Sequence, residues 1–294
     1  MATSPPRARL LVTCADTSGI VATVTTFLFN QGVNVTHLDQ HTAPSGSSAS
    51  ATNGHGAVFF MRVEFTAIAG LNRKTFEAAF SEVVAKRYGM TWRFAWDDQV
   101  KRVGLFVSKH DHALMELLWR SRRGELPCEI AMIVGNHAES RRAADDFGLP
   151  FHLVSYDQGA DAAEERILEL THGLDLLVLA RFMRILSPRV VDAFPSRIIN
   201  IHHSFLPAFA GARPYHQAWD RGVKVIGATA HYVTAELDQG PIIEQDTLRV
   251  SHRHSADDLV SLGRDVERQV LARAVRWHLE DRVIVHEGKT VVFT

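Results

Sequence analysis

Between residues 100 and 201 short apolar runs alternate with amphipathic stretches, and no other feature of the chain restricts its fold as much. Runs at Val103–Val107, Ile130–Val134, Phe151–Val154, Leu176–Ala180 and Ile198–Ile201 have the length and apolar character of buried strands. Helical periodicity fills the gaps at Ala113–Arg122, Glu139–Phe147, Ala162–Leu170 and Pro188–Phe194. Such alternation closes through right-handed crossovers into a mostly parallel, Rossmann-like sheet. After Val223 the pattern turns β-rich. Ala256–Leu279 then reads as one long helix with Leu259, Leu262, Val266, Val270 and Ala274 along a stripe, and Val283–Val285 and Val291–Phe293 flank Gly288 as a hairpin.

The first third follows a different rhythm. Arg9–Ala15 reads as a strand. Gly19–Gln31 reads as a helix, with Ile20, Val21, Val24, Phe27 and Leu28 on one face and Gly32 as its stop. Asn34–Thr42 and Ala57–Phe65 are expected strands, Lys74–Arg87 a second helix and Thr91–Trp96 a last strand. The order βαββαβ describes a ferredoxin-like unit. Residues 42–56, rich in Gly and Ser, interrupt it as a mobile loop, because they bury too little apolar area to offset their ordering entropy. Asp97-Asp98-Gln99 marks the boundary, so the α/β chain is expected to divide into domains at 7–96 and 100–294, in keeping with a length of 294 residues.

Composition removes several functions. Lys and Arg total 32 against 33 Asp and Glu, a net charge of −1 that argues against binding nucleic acid through phosphate neutralisation. The N-terminus has no apolar region typical of a signal peptide, and no run approaches a membrane span; a cytoplasmic protein with no membrane partner is expected. Cys14 and Cys128 are too few for a disulfide scaffold and read as buried small hydrophobes. The 16 histidines raise the question of metal, but the pairs His37/His41, His110/His112 and His252/His254 lack further ligands, so no metal site is expected. No G-x-S-x-G elbow and no G-x-G-x-x-G after Val103–Val107 is present, which argues against a serine hydrolase and against NAD. The basic segment Trp119–Arg123 suits a helix C-terminus better than an RNA site.

Chemistry is expected beyond the carboxyl ends of the parallel strands. There, Asn200-Ile-His202 places an amide donor and an imidazole on the same side of an extended chain. Such a pair suits polarising a carbonyl and moving a proton, although an N-x-H alone is more often a turn that satisfies backbone groups. Downstream, Gly227–Ile243 runs as strand, polar loop and strand, with Asp238 in the loop, where a carboxylate can approach an imidazole of the neighbouring strand.

Asn200-x-His202-x-Ser204-x-Leu206-Pro207, then Gly227-x-x-x-His231 and Leu237-Asp238-x-Gly240-x-Ile242, resembles the signature of formyltransferases that use 10-formyltetrahydrofolate, and Leu179–Ser187 resembles their folate-binding segment. Cys14–Ala22, Gly32–Val35 and Phe59–Arg62 are similar to an ACT regulatory domain. An ACT domain joined to a formyltransferase domain resembles the formyltetrahydrofolate deformylase family over nearly the whole chain. Glu125–Cys128 and the run Phe209-x-Gly211-Ala212-x-Pro214-Tyr215-His216-Gln217-Ala218 add to the likeness. Two departures, Ala15 where the family often has Pro and the long 42–56 loop, both fall in the ACT unit and bear on effector binding rather than catalysis.

That resemblance implies a hydrolase acting on a linear amide-type C–N bond. Its substrate is 10-formyltetrahydrofolate, its products tetrahydrofolate and formate, and it has no permanently bound cofactor. Formate would supply purine biosynthesis and the reaction would balance one-carbon pools. Asn200, His202 and Asp238 are the implied catalytic set: Asn200 and protonated His202 face the oxyanion, and Asp238 orients His202 and positions or deprotonates water. Phe182, Arg184, Ile185 and Leu186, with Ala235 and Glu236 opposite, are the implied pterin contacts; His203, His216 and His231 are candidates for supporting roles. Asp16, Gly19 and Asn34 are candidates for an amino-acid effector site, and ACT pairing implies a homo-oligomer. Two alternatives stand beside hydrolysis: transfer of the formyl group to an amine, and an inactive amino-acid-sensing regulator. Phe106–His112 lacks the glycines with which related transformylases cradle a phosphate, which favours water as acceptor, although Lys109 and His110 remain able to bind an anion.

Overall fold

The computed structural model describes residues 6–44, 56–207 and 213–294. The chain forms two compact units. One runs to Gln99 and takes in Asp281–Glu287 and Val291–Thr294; the other comprises Val100–Glu280 and Gly288–Thr290.

In the first unit β1 (Arg7–Ala15), α1 (Ile20–Asn30), β2 (Asn34–Pro44), β3 (Ala57–Thr66), α2 (Arg73–Phe80), α3 (Lys86–Tyr88) and β4 (Thr91–Trp96) follow in βαββαβ order. A π turn, Ser81–Ala85, joins α2 to α3, so the expected second helix is continuous but wound unevenly. The sheet has strand order β2-β3-β1-β4, and β3 and β4 run antiparallel to β1. Ile20, Val24, Phe27 and Leu28 of α1 and Phe76 and Phe80 of α2 meet Leu10, Val12, Met61 and Phe65 from the sheet in one core. Gly19, at φ 90°, turns the chain from β1 into α1. The expected mobile loop falls largely on residues 45–55, outside the described residues.

The first unit also contains residues that the expected division at 100–294 put in the second. Asp281 explains this: it is 2% exposed, its carboxylate lies 2.6 Å from Arg93 Nη1 and 3.7 Å from Arg9 Nη1, and its carbonyl accepts from Arg62 Nε at 2.8 Å. Val283 and Phe293 are buried as well. After Asp281, β12 (Val283–His286) and β13 (Lys289–Val292) pair as a two-stranded ribbon.

The second unit is built on β5 (Lys101–Val107), β6 (Cys128–Gly135), β7 (Phe151–Leu153), β8 (Leu176–Leu179), β9 (Ile198–His202), β10 (Val225–Tyr232) and β11 (Ile242–Arg249). Strand order is β11-β10-β9-β8-β5-β6-β7, with β7, β6, β5, β8 and β9 mutually parallel and β10 antiparallel to both its neighbours. Helices α4 (His112–Arg122), α5 (Arg141–Phe147), α6 (Ala160–Thr171) and α7 (Pro188–Ala193) connect the parallel strands; α8 (Pro214–Asp220) and α9 (Ala256–Leu279) follow. Pro188 and Pro214 sit in the first turns of α7 and α8, where a missing N–H costs nothing. A reciprocal capping box between Ser255 and Asp258 opens α9, which packs on β9, β10, β11, α4 and α8. Cys14 and Cys128 are free, and burial pushes their thiols up to about 11 and about 12, so both stay protonated and inert near neutral pH. Among the described residues no helix is long and apolar enough to cross a membrane.

Candidate active site

The carboxyl ends of β5, β8 and β9 open into a cavity of about 760 Å³ lined wholly by residues of the second unit. Antiparallel pairing puts His231 of β10 directly opposite Asn200 of β9, and Thr229 opposite His202. Cross-strand neighbours of this kind are within side-chain reach. Asn200 Nδ2 donates to His231 Nε2 at 3.2 Å, and His231 Nδ1 donates to the Tyr232 carbonyl at 2.9 Å. These two bonds fix the tautomer of His231 and leave Asn200 a second amide hydrogen.

Asp238 reaches the same point from the loop between β10 and β11. Gly240 makes that possible: a Cβ there would lie 1.7 Å from the Tyr232 carbonyl oxygen, so only glycine lets the loop fold back on its own strand. Tyr232 N donates to the Pro241 carbonyl at 2.9 Å, and Asp238 itself takes a left-handed φ of 57°. Its carboxylate stands between two imidazoles, with Oδ2 3.3 Å from His202 Nδ1 and Oδ1 3.7 Å from His231 Nε2. The bond from His202, and after it the nearby His231, hold Asp238 far below the usual carboxylate range. His202 is therefore turned so that Nδ1 faces Asp238. His202 lines the cavity, and its Nε2 is buried with no hydrogen-bond partner among the described residues.

The loop after β9 is pinned by Thr229. Its hydroxyl donates to the Ser204 carbonyl (2.9 Å) and accepts from Leu206 N and Gln245 Nε2 (3.0 Å each). The run from Phe209 to Ala212 lies outside the described residues.

All the expected catalytic, pterin-contact and supporting residues line this one cavity. Phe182 and Leu186 are at the same time core residues, Phe182 packing edge-on against Phe106 at 5.4 Å, so they offer a ligand mainly backbone. Ile185 is 68% exposed, and the Arg184 guanidinium lies 4.7 Å over the Tyr156 ring. The end of this segment is held where Ser187 N donates to Glu164 Oε1 at 2.7 Å, and the Ser187 hydroxyl also donates to Glu164. Ala235 and Glu236 stand in the β10–β11 loop. In the first unit Asp16 and Gly19 occupy the β1–α1 turn and Asn34 opens β2.

A second group in the cavity was not foreseen. Glu267 of α9, nine-tenths buried or more, accepts from Tyr215 (2.8 Å) and from His112 Nε2 (2.8 Å), with Arg181 Nε at 3.5 Å. Burial opposes its charge, but the His112 bond and the Arg181 charge hold it below its ordinary value. His112 thus belongs to the cavity rather than to the set of uninvolved histidines. One sequence signal pointed to this group: a glutamate four residues after Gly263 and three before Val270, on the buried face of α9. His203, stacked on His202 with ring centroids 5.2 Å apart, is pushed down to about 4, first by burial and then by Arg181.

Comparison with known proteins bears on the family and the fold. A formyl transferase family model matches residues 101–275 and an ACT domain model residues 8–68. Formyltetrahydrofolate deformylase of Bacillus subtilis is 50% identical over 98% of this chain and 94% of its own, and that of Synechocystis 48% identical over 97% and 98%. The crystal structure of a formyltetrahydrofolate deformylase from Pseudomonas syringae pv. tomato matches with a TM-score of 0.91 and 44% identity, covering 100% of this chain and 96% of that one. Glycinamide ribonucleotide transformylase 1 from Symbiobacterium toebii matches with a TM-score of 0.64 and 30% identity, over 66% of this chain and 95% of its own. With an ACT domain ahead of a formyl transferase domain and relatives matched along nearly its full length, the chain belongs to the formyltetrahydrofolate deformylase family.

Proposed function

We propose that the chain hydrolyses 10-formyltetrahydrofolate to tetrahydrofolate and formate. The observation that carries this reading is the line Asn200–His231–Asp238–His202, which ends on an unpartnered imidazole nitrogen in the cavity beside the 182–186 segment. Water adds to the formyl carbon, the C–N10 bond breaks, N10 takes a proton, and formate and one proton are released. His202 Nε2 takes a proton from the attacking water, the resulting imidazolium donates to the oxyanion, and the same proton passes to N10. Asp238 keeps Nδ1 protonated and stabilises the imidazolium. The second N–H of Asn200 completes the oxyanion donors; one such donor is worth about 10²–10³ in rate.

Water, not an amine, is the acceptor. The residue that opens the loop after β5 spends its groups internally: Ser108 N donates to the Arg181 carbonyl at 3.2 Å, and Ser108 Oγ accepts from Met183 N at 2.9 Å. A phosphate cradle needs such N–H groups unoccupied. A cytoplasmic location accompanies this reading because the substrate is a soluble folate. So do a supply of formate to purine synthesis, an amino-acid effector at the ACT unit and assembly into a homo-oligomer. The test is incubation with 10-formyltetrahydrofolate without an amine acceptor. Equimolar formate and tetrahydrofolate are expected; no formate until an amine is added would support transfer instead, and no turnover with tight amino-acid binding would support a regulator.

A further inference from the structure

Hydrolysis of a formyl group needs a folate and a water, yet the cavity that holds Asn200, His202 and Asp238 is also lined by Lys109, His110, His112, Arg181, His203 and Arg264. The Glu267 carboxylate lies beside His112 and Arg181. Arg181 is central to this group, its charge acting on His110, His203 and Glu267. It leaves β8 two residues after Leu179, and Leu179 pairs in parallel register with Asn200, which lies two residues before His202. Adjacent strands are about 4.8 Å apart, so the register carries Arg181 to the neighbourhood of the reacting carbon. Ser108 N, from the strand on the other side, holds its carbonyl.

Two further observations single out this residue. Arg181 has a φ of 66°, a left-handed backbone that is unfavourable for a non-glycine residue and persists where surrounding structure enforces it. The Arg181 side chain is 12% exposed; its Nε and Nη1 are buried and have no hydrogen-bond partner among the described residues, Glu267 lying 3.5 Å from Nε. A buried, always-charged fork with an open N–H is suited to a small planar oxyanion.

We propose that Arg181, flanked by His203, forms a subsite for a small carboxylate anion, and that its occupant is product formate. The assignment of the occupant rests on the hydrolysis reading; the anion site does not. Formate, formed between Asn200 and His202, exchanges its contacts there for Arg181, which separates it from N10 and disfavours re-formation of the C–N bond. Neutral His203 is available as a hydrogen-bond partner without competing for the anion's charge, since burial, and after it the Arg181 charge, keeps it unprotonated at working pH.

The experiment measures formate as a product inhibitor and, separately, the line width of carbon-labelled formate in the absence of folate, for wild type, Arg181→Gln and Arg181→Lys, with acetate and inorganic phosphate as competitors. Formate is expected to inhibit and to be broadened by wild type. Its affinity should fall about tenfold or more in Arg181→Gln and less in Arg181→Lys, as loss of a charge-assisted bond predicts. Equal inhibition of wild type and Arg181→Gln overturns the proposal. Inhibition by phosphate with no response to formate also overturns it, and points to a phosphorylated ligand. Should Arg181→Gln fail to fold, absence of broadening by wild type with formate in large excess refutes the site by itself. If instead no formate is released from folate while labelled formate still binds through Arg181, the hydrolysis reading fails and the anion site stands.

Discussion

Asp238→Asn isolates the electrostatic part of the site. The amide keeps the shape of the carboxylate but removes the charge that faces His202 Nδ1 at 3.3 Å. At that distance the attraction for an imidazolium is roughly 1 kcal/mol in a water-like medium and roughly 5 kcal/mol at an effective dielectric of 20. Asp238 is 23% exposed in its side chain, so the value falls between these limits, at about 3 kcal/mol, or about 10² in rate. A second loss adds to the first: an amide N–H turned toward Nδ1 forces the proton of neutral His202 onto Nε2, which removes the lone pair that takes the water proton. Together they predict a kcat lowered about 10²–10³-fold, with a KM for 10-formyltetrahydrofolate changed little, because no ground-state contact is lost. The assay is formate release at saturating substrate near neutral pH, beside a pH profile of kcat. A variant within about threefold of wild type in kcat would refute the reasoning, as would a loss confined to KM.

Other consequences follow from groups outside the proton path. His203 is held neutral in the fold down to about pH 4, whereas an unfolded histidine protonates near 6.5. The unfolded state therefore binds the proton first as pH falls, and stability that is complete above about 6.5 declines toward 4 by up to about 3 kcal/mol. His203→Gln should flatten the acid limb of a Tm-against-pH curve, and an unchanged limb would count against this account. Gly263→Ala places a methyl 2.1 Å from Tyr215 Cζ, on a ring held by its bond to Glu267; overpacking of about 1–3 kcal/mol is expected, read as a fall of roughly 2–4 °C in Tm per kcal/mol. A Tm equal to wild type would show that the ring has room. Ser255→Ala removes both hydroxyl bonds of the α9 capping box and should cost about 1 kcal/mol, seen as a lower urea midpoint at constant slope.

Strands and helices were legible because their signals are local. The apolar period of α9 gives its ends at Ala256 and Leu279, as the structure has them. The position of Asp238 beside His202 was legible too, since Gly240 and the strand register confine it to a few turns of chain. Glu267 was not: its partners His112, Arg181 and Tyr215 come from three other elements, His112 being 155 residues away. Periodicity marks Glu267 as buried but carries no information on what meets it. Arg181 was passed over within a recognised motif, because its consequence lies in a left-handed backbone and an open guanidinium, which no spacing rule reports. The boundary of the first unit failed at Asp281 for the same reason, since a lone carboxylate after a helix end reads as solvated until Arg9 and Arg93 are seen beside it.

That carboxylate has a consequence for biosynthesis. The first unit is discontinuous in the chain, so its β-sheet leaves the ribosome long before Asp281, Val283 and Phe293 do. The part of the protein translated first is the part finished last. Until then Arg9 and Arg93 lack the buried acceptor they meet in the native state, and a fragment ending at Gln99 is an incomplete unit rather than a separable one. Completion of the ACT unit thereby reports that the whole intervening formyl transferase domain has been made.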